Sequence, residues 1–320
     1  MKRVVFIVVF AMLGKQALAW GFLGHKTINY YACFALPQDL FGFYKNYSDY
    51  VKTHAVDADS RRYLIDAEAC RHYLDCDHYE HSAPLDTIPH RWFDAIEKYT
   101  EDTLLEFGIV PWHVLTMKYR LTQAFKEKNL RKILKNSADI GHYIADAHVP
   151  LHSTSNYNGQ QTDQVGIHAL WETRLPQLFY DSIDKMPGTV EYISNPQEFI
   201  WSRLSESYSM VDSVLRLEKL ISKMHPNDKR SLESYGRGVK RAYSIPFSRD
   251  YYYALDNMVE RRMLASIEAV ASFWYTAWVD AGQPDLSEFG NLSMDEWSDD
   301  KIITPDLNQK MKGRQEYDIE

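Results

Sequence analysis

Apolar positions along this 320-residue chain recur mostly at helical spacing, and strand-like alternation bounded by hairpin turns is hard to find. Lys26 to Ala35 reads as a short apolar helix stopped by Pro37. Trp112 to Leu134 carries Trp112, Leu115, Met117, Leu121, Ala124 and Phe125 without a breaker, which predicts one long helix after Pro111. Ser137 to His148 predicts a further helix closing near Pro150, because proline disfavours helix in the residue before it. Ile167 to Leu175 predicts another, ended by Pro176, and Pro196 to Ile221 and Asp256 to Ala281 predict two more. The expected fold class is all-α.

The first nineteen residues read differently. Lys2 and Arg3, the apolar run Val4 to Leu13, and Ala17-Leu18-Ala19 have the form of a secretory signal peptide with its cleavage site. The run is too short for a permanent membrane anchor, and no other stretch is apolar for long enough to serve as one. An exported protein is expected, periplasmic or secreted, beginning at Trp20 and monomeric. Losing Lys2, Arg3 and Lys15 would move the net charge from -8 to -11. Such a chain has no global basic field for wrapping a long nucleic acid. Residues 20–283 form the expected domain. Residues 284–320 hold ten acidic and four basic side chains and lose the apolar period, predicting a weakly ordered tail able to dock through Phe289 and Trp297. Cys33, Cys70 and Cys76 form no C-x-x-C pattern and read as core or disulfide residues. Lys229, Arg230, Arg237, Lys240 and Arg241 read as a solvated surface.

The chemistry concentrates elsewhere. Gly141 to His152 contains His142, Asp146 and His152, and His168 with Glu172 repeats the His-x-x-x-acid spacing. Groups at i and i+4 share one helix face, so these are two chelating pairs, and imidazole with carboxylate suits zinc. Two pairs plus His152 point to a polynuclear metal site. The polar, glycine-marked run from Ser153 to Gly166 reads as a loop joining the two ligand-bearing helices. A freed amine at Trp20 could chelate a metal together with its own carbonyl, and His25 lies close enough to add an imidazole. The stretches around His54-Ala-Val-Asp57-Ala-Asp59 and Arg71-His72 could supply one more carboxylate and one more imidazole.

Taken in order, these residues resemble the superfamily of zinc-dependent phospholipases C and fungal zinc-dependent single-strand nucleases. The likeness runs from Trp20 to about Glu172, with His142-Tyr143, Asp146, Pro150, His152 and Asn156 fitting the phospholipase signature, while Ala145 and Thr154 depart from it. It implies a helical domain with about three zinc ions per chain in a cleft. Asp57, His72, His142 and Asp146 would hold the first, with Asp59 the rival to Asp57. His152, His168 and Glu172 would hold the second, and Trp20, His25 and a bridging Asp146 the third. Asp57 and Asp146 would act at the catalytic centre, and Arg61 would help neutralise the phosphate. The implied activity is phosphodiester hydrolysis of the phospholipase C type, by a metal-activated water attacking phosphorus. The substrate would be a phospholipid or, in the alternative, single-stranded DNA or RNA. A zinc-binding protein without catalysis is the third option. His148 points off the His142/Asp146 face and is expected to support rather than ligate. His54, His78, His81, His90, His113 and His225 receive no ligand role. Tyr143, Tyr157 and Trp171 are candidates for lining the cleft.

Overall fold

The computed structural model describes residues 20–188, 190–235 and 238–290. The signal-peptide reading and Trp297 fall outside them. The helices in chain order are α1 (Gly21–Ala35), α2 (Gln38–Asn46), α3 (Ser48–Thr53), α4 (Asp57–Arg61), α5 (Cys76–Tyr79), α6 (Trp92–Tyr99) and α7 (Glu101–Phe107). They continue with α8 (Val110–Lys126), α9 (Leu130–Ala147), α10 (Ile167–Ala169), α11 (Leu175–Phe179), α12 (Pro196–Met224), α13 (Ile245–Ala254) and α14 (Met258–Asp280). The one sheet among the described residues is an antiparallel hairpin, β1 (Arg230–Tyr235) with β2 (Gly238–Tyr243). The fold is all-α apart from this ribbon.

Helix α9 is the axis of the domain. Every residue from Ser137 to Ala147 is buried, because α1, α3, α8 and α14 enclose it. A helix buried all round must satisfy its polar side chains internally. Tyr44 does so at one end, its hydroxyl 2.7 Å from Ser137 Oγ while its ring stacks on Trp274 at 4.5 Å. The indole N–H of Trp274 donates to the Ser137 carbonyl. Close approach of α1 depends on Gly141: a Cβ there would lie 2.0 Å from Asn29 Oδ1. Asn29 Nδ2 donates to Val51 O and Ala138 O, tying α1 to both α3 and α9.

Two helix expectations are corrected. The single helix expected from Trp112 to Leu134 is two, divided where Lys128 adopts φ +48° and Asn129 caps α9 by accepting from Lys132 N at 3.0 Å. Pro176 does not end its helix. A π-helical turn, Leu170–Arg174, precedes it and α11 runs on through it, and the wider turn accommodates a residue with no N–H to give. The hairpin went unseen because its apolar residues Leu232, Val239 and Tyr243 are shared between two short strands, and neither strand alone shows apolar alternation. Residues 284–290, where the expected tail begins, pack on the body in keeping with the expected docking at Phe289: Tyr47 Oη donates to Phe289 O, Asn46 Nδ2 to Gly290 O, and Trp278 Nε1 to Pro284 O. All three cysteines are buried and unpaired with one another.

Candidate metal centre

Eight potential ligands from separated stretches meet beside the C-terminal half of α9. His142 and Asp146 come from α9 itself, His25 from α1 and Asp59 from α4. His72 follows the 3-10 turn Ala69–Arg71, and His152 sits in the 3-10 turn Pro150–Ser153. His168 and Glu172 come from α10 and the π-helical turn. Their donor atoms gather in three groups, each within 4.8 Å: His25, Asp59 and His142; His72, His142 and Asp146; His152, His168 and Glu172. All eight residues are buried.

Asp146 is the hub. Its Oδ2 lies 2.8 Å from His72 Nδ1 and 3.2 Å from His142 Nε2, and its Oδ1 3.4 Å from His25 Nε2. Asp59 Oδ1 approaches His142 Nε2 at 3.6 Å and His72 Nδ1 at 3.9 Å. Across the site Glu172 spans two imidazoles, Oε1 3.0 Å from His168 Nε2 and Oε2 3.4 Å from His152 Nε2.

Three of the imidazoles are oriented by backbone carbonyls. His142 Nδ1 lies 2.8 Å from Ala55 O, His152 Nδ1 2.7 Å from His72 O, and His168 Nδ1 3.2 Å from Tyr157 O. Each carbonyl accepts from Nδ1–H, which leaves the Nε2 lone pair directed at the cluster. His25 Nδ1 and Nε2, His72 Nε2, His152 Nε2 and Asp146 Oδ1 are buried and make no hydrogen bond. Desolvated polar atoms cost free energy unless something satisfies them. A cation does so for imidazole and carboxylate together, and this mixed N/O set fits zinc.

The electrostatics agree. Burial lowers His25 to about 3, with His142 adding to the effect. Burial also lowers His72 to about 4 against the opposing pull of Asp146. Burial would raise Asp146, but His142 and His152 outweigh it and hold the carboxyl well below its usual range. Neutral imidazole and ionised carboxylate are the forms that bind metal. His142 goes the other way: burial lowers it, but Asp146 and Asp59 outweigh that and bring it to about 9.

Asp57 is not among the converging groups. Its carboxylate lies 2.7 Å from His54 Nδ1 and its side chain is 47% exposed, against 3% for Asp59. Two residues along a helix are about 200° apart, so α4 cannot turn both carboxylates inward. Arg61 is likewise not turned toward the cluster. Its guanidinium donates to Asp139 Oδ1 at 3.0 Å and to the Tyr143 hydroxyl at 3.2 Å, and lies 3.5 Å from Glu68. Glu68, buried behind His72, also takes Arg71 at 2.6 Å and the Tyr143 hydroxyl. Burial would raise Glu68, but His72 and Arg61 outweigh it and lower the carboxyl to about 2. The sequence reading gave Glu68 no role, although it stands four residues before His72, the spacing that marked the other pairs.

Trp20 packs beside the cluster. Its indole N–H donates to Ala145 O at 2.8 Å and its ring packs on Trp171 at 5.2 Å, so it touches the neighbours of Asp146 and Glu172. The Trp20 carbonyl accepts from Gly24 N at 3.0 Å, opening α1. His148 is buried, bonded through Nδ1 to Ile144 O, and outside the three groups. Tyr143 and Trp171 are core residues, while Tyr157 is partly exposed.

No protein-family model and no curated protein sequence matches the chain. Among solved structures, it is similar to the alpha toxin of Clostridium absonum, with a TM-score of 0.46 and 13% identity. It is similar also to Clostridium perfringens alpha-toxin from the avian strain SWCP, with a TM-score of 0.47 and 13% identity. In both cases 85% of this chain aligns and spans 66% of the other, somewhat less than two thirds of its length.

Proposed function

We propose that this chain is an exported, zinc-dependent hydrolase of phosphodiester bonds, of the phospholipase C type. One observation carries the reading: five imidazoles and three carboxylates converge, and His25, His72, His152 and Asp146 each present a buried donor atom that no hydrogen bond satisfies. One ion would sit on Asp59, His72, His142 and Asp146, a second on His152, His168 and Glu172, and a third on His25, Asp146 and the freed amine of Trp20. Zinc held there lowers the pKa of water to supply a nucleophile near neutral pH and offsets the negative charge of a phosphodiester. Asp146 reaches His25, His72 and His142, so its two oxygens fix the spacing of adjacent subsites. The carbonyls of Ala55, His72 and Tyr157 keep three Nε2 atoms aimed before substrate arrives, a preorganisation that lowers the cost of assembling the site.

A second reading has support of its own. Every donor is buried, and closed coordination is the habit of structural zinc. Metal content and turnover separate the two. The phosphodiesterase reading expects about three zinc ions per mature chain and hydrolysis of phosphatidylcholine vesicles, lost on chelation and restored by zinc. Hydrolysis of single-stranded DNA or RNA instead would move the substrate to nucleic acid. Tightly held zinc with no turnover on any of them would leave a metal-binding protein.

A further inference from the structure

The C-terminal half of α12 has a coherent outer face. Arg216, Lys219, Leu220 and Lys223 fall at i, i+3, i+4 and i+7, with Met224 beside them, and all five are exposed. The first four border an open groove that Asp212, Leu215, Thr162 and Gln164 also line. Gln164 also lines a second groove, walled by Val165, Lys229, Arg230 and Arg241. The two grooves therefore form one continuous face. The hairpin extends it. Leu232 and Arg241 are directly opposed in the ladder and Val239 is the diagonal neighbour, so the three share one side of the ribbon.

Two properties of this face stand out. Six basic and two acidic side chains line the two grooves, a net of +4 in a chain whose total is -8. Beside those cations stand large aliphatic side chains in solvent: Leu232 is 75% exposed, Val239 66%, Met224 63% and Leu220 51%. Lysine and arginine interleaved with exposed aliphatics is the composition that lies in a lipid headgroup layer, cations toward anionic headgroups and apolar groups below them. A single-stranded nucleic acid would instead need stacking platforms, and among the described residues no aromatic side chain lines either groove.

We propose that this face, built from α12, residues 162–165 and the β1–β2 hairpin, docks the protein on the surface of an anionic phospholipid bilayer. The proposal rests on the phosphodiesterase reading for its purpose, since it names a lipid surface as the place where substrate is met. It also connects physically to the candidate centre. Arg230 Nη2 donates to Val165 O at 3.0 Å, three residues before His168. Glu233, on the other side of the ribbon, pairs with Arg174 of the π-helical turn that carries Glu172.

Co-sedimentation of the mature full chain with large unilamellar vesicles tests it. One vesicle set is pure phosphatidylcholine, and the other contains about one third phosphatidylserine, the anionic lipid that polybasic segments favour. Wild type should partition at least about tenfold more strongly onto the anionic set, with the difference shrinking in high salt. Lys219→Glu/Lys223→Glu/Arg241→Glu should remove that preference, and Leu232→Ser/Val239→Ser should weaken binding to both sets. Neither variant should alter turnover of a small soluble phosphodiester. Equal partition of wild type onto both sets, or unchanged binding by the charge variant, would overturn the proposal. So would loss of single-stranded oligonucleotide binding with vesicle binding intact, which would make the grooves a nucleic-acid path. Absence of soluble-substrate turnover in wild type with docking intact would fault the catalytic reading and leave the surface standing.

Discussion

His142 Nε2 lies 3.0 Å from His72 Nδ1, and Asp146 Oδ2 is within 3.2 Å of both. Two imidazole nitrogens approach that closely only when a proton or a cation lies between or beside them. Asp59 faces the same pair while Asp57 faces solvent and His54. Asp59→Asn should therefore cost about one zinc per chain, and activity should fall by a hundredfold or more, on the order of 3 kcal/mol of transition-state stabilisation. Asp57→Asn should leave both within twofold. Elemental analysis of the purified variants decides; the reverse pattern would reinstate Asp57.

The position of Trp20 makes a prediction about processing. Its indole is anchored between Ala145 and Trp171, which sets the backbone of residue 20 beside two ligand-bearing segments. A chain beginning at Trp20 should hold one more zinc than a chain carrying a single extra residue before it, because only the former offers an amine. Equal metal content in the two preparations would remove the amine from the ligand set.

Gly141 sets how closely α1 approaches α9. Since an added Cβ would fall 2.0 Å from Asn29 Oδ1, Gly141→Ala should destabilise the fold by about 1–3 kcal/mol through overpacking. It should also disturb the centre, as His25 and His142 sit on the two helices and their rings stack at 3.9 Å. Thermal unfolding should show a drop of several degrees, of which Asn29→Ala in the same chain recovers part. An unchanged melting temperature would show that the helices can slide apart without cost.

Away from the centre, His225 lies between two carboxylates, with Nδ1 3.1 Å from Asp228 and Nε2 3.0 Å from Asp250. Burial alone would lower its pKa, but hydrogen bonds to Asp228 and Asp250 raise it. The hydrogen bond from His225 in turn lowers Asp250. A raised histidine contributes stability below its unfolded value of about 6.5 and loses it as pH climbs through the folded value. A lowered aspartate contributes above about 3.9 and loses it as pH falls further. The pair should stabilise most between those limits, by at most about 1 kcal/mol because solvent screens it. Urea unfolding should show His225→Gln costing more stability at pH 5.5 than at pH 8.5. An equal cost at both would place the effect in packing.

Much of this protein was readable before any coordinates. Helical spacing determined the all-α class, and the two His-x-x-x-acid pairs marked His142, Asp146, His168 and Glu172, because i and i+4 share a face whatever the surrounding fold. Tertiary structure alone decided what depends on partners distant in sequence. Asp59 and Asp57 are chemically identical, and only the orientation of α4 against α9 sets Asp59 among the converging groups and Asp57 beside His54. Arg61 has the charge to meet a phosphate, but Asp139 and Tyr143, supplied by α9, hold it. Glu68 has no sequence signal beyond its spacing from His72, and its place behind that imidazole is set by how the chain closes around α9. The hairpin escaped because its one apolar side, Leu232, Val239 and Tyr243, is assembled from two strands, and neither strand alone alternates. Local periodicity is written in neighbouring residues, whereas the choice among like residues belongs to long-range packing.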